Sequence, residues 1–289
     1  MLPQFLINGF ITGLLYSLLA IGFALVYNTT HIFHIAAAGI YVFAAYMFWW
    51  FAVKLGMPLF LASALAVLLT MGLSLLSEVG VYRPLRKKRS SLSVIMIASI
   101  GLMTVIINLI AMVFGNETKV VDNEIHRTFH WGNVIITTPQ LYQIIVAVVA
   151  VVVFLVLLDR TRFGLKIRAL SADETLFETL GYNKQQTFSI VFLVSGLFIG
   201  LASCLTVYDV GMDPNMGMTV LINAMVAMII GGTGRFGTCV IGGVTLGVLQ
   251  SLTVFWFASN WQNAITFALL LVFLFLRPQG IAGYKQRVV

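Results

Sequence analysis

Residues 82–91 read YRPLRKKRSS, and residues 92–115 read LSVIMIASIGLMTVIINLIAMVFG. Five positive charges and no acid stand directly before 24 residues that carry no charge. A membrane helix needs about 20 mostly apolar residues to cross about 30 Å of hydrocarbon. Lys and Arg collect in the short loops that stay on the cytoplasmic side. This junction therefore predicts a spanning helix whose preceding loop is cytoplasmic.

The rest of the chain repeats the pattern. Apolar runs also cover 5–27, 33–53, 58–77, 141–158, 187–208, 218–232, 238–258 and 261–276, nine in all. The runs 218–232 and 261–276 have 15 and 16 residues, short for a full crossing. Broken helices of that length are tolerated where protein or a cavity surrounds them, so eight and ten spans are the alternatives to nine. Segment 159–186 carries Arg160, Arg162, Lys166, Arg168 and Lys184, and the tail carries Arg277, Lys285 and Arg287, which assigns both to the cytoplasm. Residues 116–139 are mixed in sign and 209–217 hold two Asp and no base, which assigns both outside. The expected fold is all-α: a polytopic transmembrane helical bundle of about nine segments, N-terminus outside and C-terminus inside. It forms a single domain over 1–289, because neither long loop can bury a core of its own.

Composition excludes other classes. Charged residues make up 9% of the chain, against about 25% in soluble domains, and mean hydropathy is +1.00. The net charge of +7 sits in short loops, which points to topology and membrane lipid rather than to nucleic acid. Cys204 and Cys239 have no Cys or His partner at metal spacing and read as buried thiols. The first positive charge is Lys54, so the first run reads as an uncleaved helix.

Residues 159–186, DRTRFGLKIRALSADETLFETLGYNKQQ, hold the densest signals. Ser171 and Glu174 fit a capping box, and Asp173 and Glu174 put negative charge in a first turn. Leu176, Phe177 and Leu180 read as one apolar face, and Gly181 as a stop. The expectation is a short amphipathic helix. It has three destinations: its own bundle, the lipid surface, or a groove on a soluble partner. Asp173, Glu174 and Glu178 count against an anionic lipid surface.

Residues 231–247, GGTGRFGTCVIGGVTLG, contain a literal G-x-G-x-x-G at Gly232, Gly234 and Gly237. A dinucleotide site needs an acid about 20 residues on, and no Asp or Glu follows Asp213. Gly231 and Gly232 fit a turn between membrane segments, with Arg235 at its inner side. Gly243-x-x-x-Gly247 and Gly196-x-x-x-Gly200 are small faces that let helices approach closely.

Few groups in the membrane could carry chemistry. Glu78 abuts an apolar run at its cytoplasmic end, within reach of water or Arg83, and Asp209 sits at an outer boundary. Carboxylate-based proton coupling is thereby disfavoured. His31 and His34 have no acid or Cys near them in sequence to complete a metal site. No catalytic motif, metal set or cofactor site is expected on this chain. Asn8, Tyr16, Asn28, His34 and Asn223 are the candidates to line a path, the alternative being that such groups join helices, as Asn108 and Gln250 also could.

Four stretches in register carry a resemblance: GLLYSLLAIGFALVYN at 13–28, TRFGLKIRALSADETLFETLGYN at 161–183, AMVAMIIGGTGRFGTCVIGGVTLGVLQS at 224–251 and RPQGIAG at 277–283. Together they resemble the membrane permease subunits of ABC importers for branched-chain amino acids, the LivH type. The resemblance implies a bacterial inner-membrane permease that is no enzyme itself. It implies two cytoplasmic ATPase partners carrying ATP and Mg, a second permease subunit (a different chain or a copy) and a periplasmic substrate-binding protein. It makes the inner-loop helix the ATPase-docking element, with Arg168, Ser171, Asp173, Glu174, Leu176, Phe177, Glu178, Leu180 and Gly181 as its residues. One segment departs: where the family reads Asn-Phe-Ala-His-Gly, this chain has His34, Ile35, Ala36, Ala37 and Ala38. Leucine, isoleucine and valine are the implied substrates, and urea or short amides, handled by related permeases, the alternative. The rival classes are an autonomous channel and an ion-coupled transporter.

Overall fold

The computed structural model describes residues 2–121, 128–131, 134–232, 234, 236–277, 280 and 281. His126, Arg235, Lys285 and Arg287 lie outside the described residues. The helices are α1 (Leu2–Thr30), α2 (Ala37–Trp49), α3 (Leu59–Ser77), α4 (Arg83–Lys87), α5 (Leu92–Phe114), α6 (Thr138–Arg160), α7 (Arg162–Ala172), α8 (Glu174–Thr179), α9 (Lys184–Val210), α10 (Met216–Gly231), α11 (Thr238–Trp256) and α12 (Gln262–Leu276). Wider π-turns extend α2 over Trp50–Lys54 and join α3 to α4 over Glu78–Tyr82. Among the described residues, eight helical stretches are long and apolar enough to cross a membrane. The run expected at 261–276 becomes one of them, because a short helical turn lengthens it to Ser259–Leu276. The run expected at 218–232 becomes α10, whose 16 residues rise about 24 Å, less than a full crossing.

The molecule is an all-α polytopic membrane bundle, and among the described residues it carries one β-hairpin. Strands β1 (Thr128–Trp131) and β2 (Val134–Thr137) form an antiparallel hairpin that sets Phe129 opposite Ile136. The charge pattern of that loop gave no hint of it.

The chain divides into two compact units, with boundaries inside α1, α6 and α10. One comprises residues 25–123 and 153–221. Here α2 packs against α3, α5 and α9, burying Tyr41, Tyr46 and Phe192. Gly196 lets α9 approach α3: a Cβ there would lie 2.8 Å from Ser74 Cβ, and at Gly200 3.3 Å from Thr70 Cβ. Ser74 donates to the Phe192 carbonyl at 2.7 Å, and Ser203 to the Tyr41 carbonyl at 2.7 Å, so hydroxyls tie these helices where water is absent. Large apolar side chains such as Phe60 and Met112 point away from the unit, as a lipid-facing surface requires. At one end, Lys119 and Met212 exchange backbone hydrogen bonds of 2.9 and 2.8 Å, joining the two loops whose composition assigned them outside. At the other end, Arg83 donates to Ser189 Oγ at 2.7 Å, tying the basic segment 82–91 to the first turns of α9.

The other unit comprises residues 1–24, 124–152 and 222–289. The first half of α1 runs antiparallel to α11: Phe5 meets Phe255 at 5.4 Å, and Ser17 donates to the Val240 carbonyl at 3.1 Å. Gly243 and Gly247 face α1, where a Cβ on either would strike the backbone at Gly13. The opposing surface is Gly9-x-x-x-Gly13, a second small-residue motif that sequence reading overlooked; a Cβ on Gly13 would lie 2.7 Å from Val244 Cα. The Gly231 turn leaves no room for a side chain against the Thr238 carbonyl, and Gly232 adopts φ +103, open to glycine but costly for other residues. Gln4 bridges both backbone groups of Ile135 at 2.8 Å, which fixes the hairpin near the start of α1. Gly247→Leu is expected to force α1 and α11 apart, costing about 3 kcal/mol or more. Thermal unfolding in detergent checks this; an unchanged midpoint would contradict the close packing.

Candidate functional site

The inner loop is two helices rather than one. Thr161 caps α7, and Asp173 caps α8 by accepting from the Thr175 and Leu176 amides at 2.8 and 2.9 Å. The Ser171 capping box is therefore incorrect: Ser171 lies in the last turn of α7. An Asp two positions later offers a charged acceptor, and the chain breaks there instead. α8 ends with Gly181 at φ +82, where Gly181 N donates to the Glu178 carbonyl at 2.9 Å and Tyr182 N to the Phe177 carbonyl at 3.4 Å. Those two bonds make a Schellman stop, closed by Phe177 stacking on Tyr182 at 5.2 Å.

The three apolar residues of α8 do not share one environment. Phe177 is buried in a cluster with Leu170 and Phe188, whereas Leu176 and Leu180 are 58% and 64% exposed. Positions i and i+4 share a helix face and i+1 lies about 100° away, so Leu176 and Leu180 point outward together. Lys184 reaches Glu174 at 2.9 Å and Glu178 at 3.0 Å, fastening α8 to the start of α9. Arg168 pairs with Asp159 at 3.1 Å on the exposed side of α7. Such half-exposed pairs are worth about 1 kcal/mol or less, so the aromatic anchor carries more of the attachment. Phe177→Ala is expected to loosen α8 by about 3 kcal/mol, read as faster amide exchange over 174–179; unchanged exchange would show that the anchor is unimportant.

Behind this loop lies a polar core that sequence reading placed at the surface. Glu78 is not at water: its side chain is fully buried in the π-turn, paired with Arg86 and 3.9 Å from Arg83 Nε. The Arg86 guanidinium lies 4.4 Å over the Phe188 ring. One turn on, Tyr82 hydrogen-bonds His34 Nδ1 at 2.8 Å and Ser99 Oγ at 2.7 Å, and Ser99 accepts from the Ala36 amide at 2.9 Å. His34 itself is fully buried, with its ring edge-on to Phe192 at 5.1 Å. The departing segment 34–38 is thus built into the protein interior, with Ala36, Ala37 and Ala38 buried.

The remaining path candidates separate. Tyr16 accepts from Asn223 Nδ2 at 3.2 Å, and Asn223 Oδ1 accepts from Gln250 at 3.1 Å and from Thr266 at 3.4 Å. This quartet links α1, α10, α11 and α12; Thr266 gave no sequence signal, because one Thr in an apolar run is ordinary. Asn8 accepts from Gln4 at 3.2 Å one turn before, and Asn28 lies buried near the end of α1. Asn108 turns outward and donates to the Thr104 carbonyl of its own helix at 2.8 Å.

Comparison with known proteins follows the whole chain. A family model described as the permease component of branched-chain amino acid transport systems matches residues 5–274. The permease BraD of Pseudomonas aeruginosa, named for high-affinity branched-chain amino acid transport, is 26% identical over 98% of this chain and 96% of its own length. The LivH permease of Escherichia coli is 24% identical with the same coverage, and the probable LivH of Methanocaldococcus jannaschii 25% identical over 92% of this chain and 88% of its own. In fold the chain is similar to PsaBC from Streptococcus pneumoniae, with a TM-score of 0.50 and 14% identity over 96% of this chain and 93% of that one. A multi-pass bundle matched from end to end in this way belongs to the permease component family of branched-chain amino acid transport systems.

Proposed function

We propose that this chain is a translocation subunit of an ATP-driven importer for leucine, isoleucine, valine or similar small apolar amino acids, in the bacterial inner membrane. Full-length correspondence to permeases named for that transport carries the reading. The chain contributes the path, and ATP with Mg is hydrolysed on two cytoplasmic ATPases. A second permease subunit completes the path, and a periplasmic protein delivers the substrate. The basic segments 82–91 and 159–186 face the cytoplasm, with the N-terminus outside and the C-terminus inside, an arrangement that counts the short α10 as a ninth crossing alongside the eight long stretches.

In this reading α8 is the coupling element. Phe177 anchors it to its own chain, and Leu176 and Leu180 enter a groove on an ATPase. Movement there rocks the helices between outward-open and inward-open states, with 1–289 acting as a single permease domain. Uptake of labelled leucine in a deletion strain, complemented with this chain, tests the substrate. Restored uptake that unlabelled isoleucine and valine suppress supports the reading; restored uptake of urea but not leucine would overturn it.

A further inference from the structure

An apolar groove lies in the 25–123, 153–221 unit, toward the end where Lys119 meets Met212. It has a volume of about 450 Å³ and runs between α2, α3 and α5, walled by Met47, Trp50, Leu73, Ile110, Val113 and Phe114. Its lining is apolar and open to the membrane side, where Val113 is 73% exposed. Trp49 borders the lining, edge-on to Phe114 at 6.3 Å, with its indole N–H donating to the Val120 carbonyl at 3.1 Å.

Two lysines converge on that one ring. Lys54 Nζ lies 5.8 Å from the Trp49 ring centre and Lys119 Nζ 5.0 Å. The first approach depends on the π-turn at Trp50–Lys54, whose i to i+5 bonding brings residue 54 over residue 49. Among the described residues, no carboxylate pairs with either amine. Each ammonium is drawn to the negative face of the indole, so the ring gathers two positive charges at one end of the unit. Trp and Lys at a helix end also mark the level of lipid headgroups.

We propose that groove and lysines form one site for an anionic phospholipid, with an acyl chain in the groove and the phosphate held by Lys54 and Lys119. The apolar wall excludes a free anion as the whole ligand. The paired amines distinguish an anionic headgroup from a zwitterionic one, whose own ammonium they would repel.

Native mass spectrometry of the full chain in mild detergent, with phosphatidylglycerol or phosphatidylcholine added at equal amounts, tests it. The wild type is expected to retain phosphatidylglycerol about tenfold more strongly. Lys54→Gln with Lys119→Gln is expected to abolish that preference, and Val113→Trp to lower retention of both lipids by filling the groove. Lys88→Gln, at the opposite end, is expected to change nothing. Unchanged preference in the double Gln variant, or equal loss in Lys88→Gln, would overturn the site. So would a groove that takes neither lipid while the chain isolates as a dimer, which would assign it to a second copy. Quenching of tryptophan fluorescence by brominated lipids in nanodiscs gives a readout free of variants: stronger quenching by the phosphatidylglycerol form supports the site, and equal quenching contradicts it.

Discussion

Leu176→Asp with Leu180→Asp is expected to lower amino acid uptake at least tenfold while the chain still inserts and folds. Both side chains are exposed and touch no core, so the folded chain loses little by the change. In the coupling role they are buried against an ATPase, and an unpaired carboxylate buried in an interface costs several kcal/mol, where each 1.4 kcal/mol is tenfold. Phe177→Ala reaches the same function by another route, through the position of the helix. Expression, thermal unfolding and uptake measured together separate these cases. Normal uptake by the double Asp variant would remove α8 from the coupling role.

Glu78→Ala is expected to destabilise the chain by about 3–5 kcal/mol. The substitution leaves Arg86 and Arg83 beside a buried space with no counter-charge, and breaking a buried pair from one side costs that much. Replacing both partners with apolar groups of similar size is often neutral, so Glu78→Leu with Arg86→Met should recover most of the loss. Thermal unfolding of the two single variants and the double variant measures the coupling. Additive losses would mean that the pair contributes nothing specific, and the burial of Glu78 would need another cause.

The membrane architecture was legible because its physics is one-dimensional. Length and charge of a run decide a span, and the runs at 92–115 and 238–258 correspond to α5 and α11 within about two residues. The small-residue motif at Gly243 and Gly247 was equally readable, since it follows from spacing alone. Its partner, Gly9 and Gly13, stands in the first apolar run, and only the backbone of α11 against it reveals the close approach. What failed required knowing three-dimensional neighbours. Ser171 and Asp173 both suit a cap, and only the packing of Ile167 and Leu170 in α7 decides between them. Leu176, Phe177 and Leu180 look alike in sequence, yet Phe188 on a helix that begins later selects Phe177 for burial. Glu78 reads as an interfacial acid until the π-turn rotates it inward onto Arg86. The lysines at 54 and 119 are far apart in sequence and meet only over Trp49.

The most direct test of the central claim is to isolate this chain from its native membrane in mild detergent, at native expression level, and identify its companions by mass spectrometry. An importer subunit is expected to bring two ATPase copies or paralogues and a second permease with it, and the double Asp variant of Leu176 and Leu180 to lose the ATPases while keeping the permease. Recovery of the wild-type chain alone, with no ATPase under conditions that preserve known membrane complexes, would contradict the ATP-driven reading.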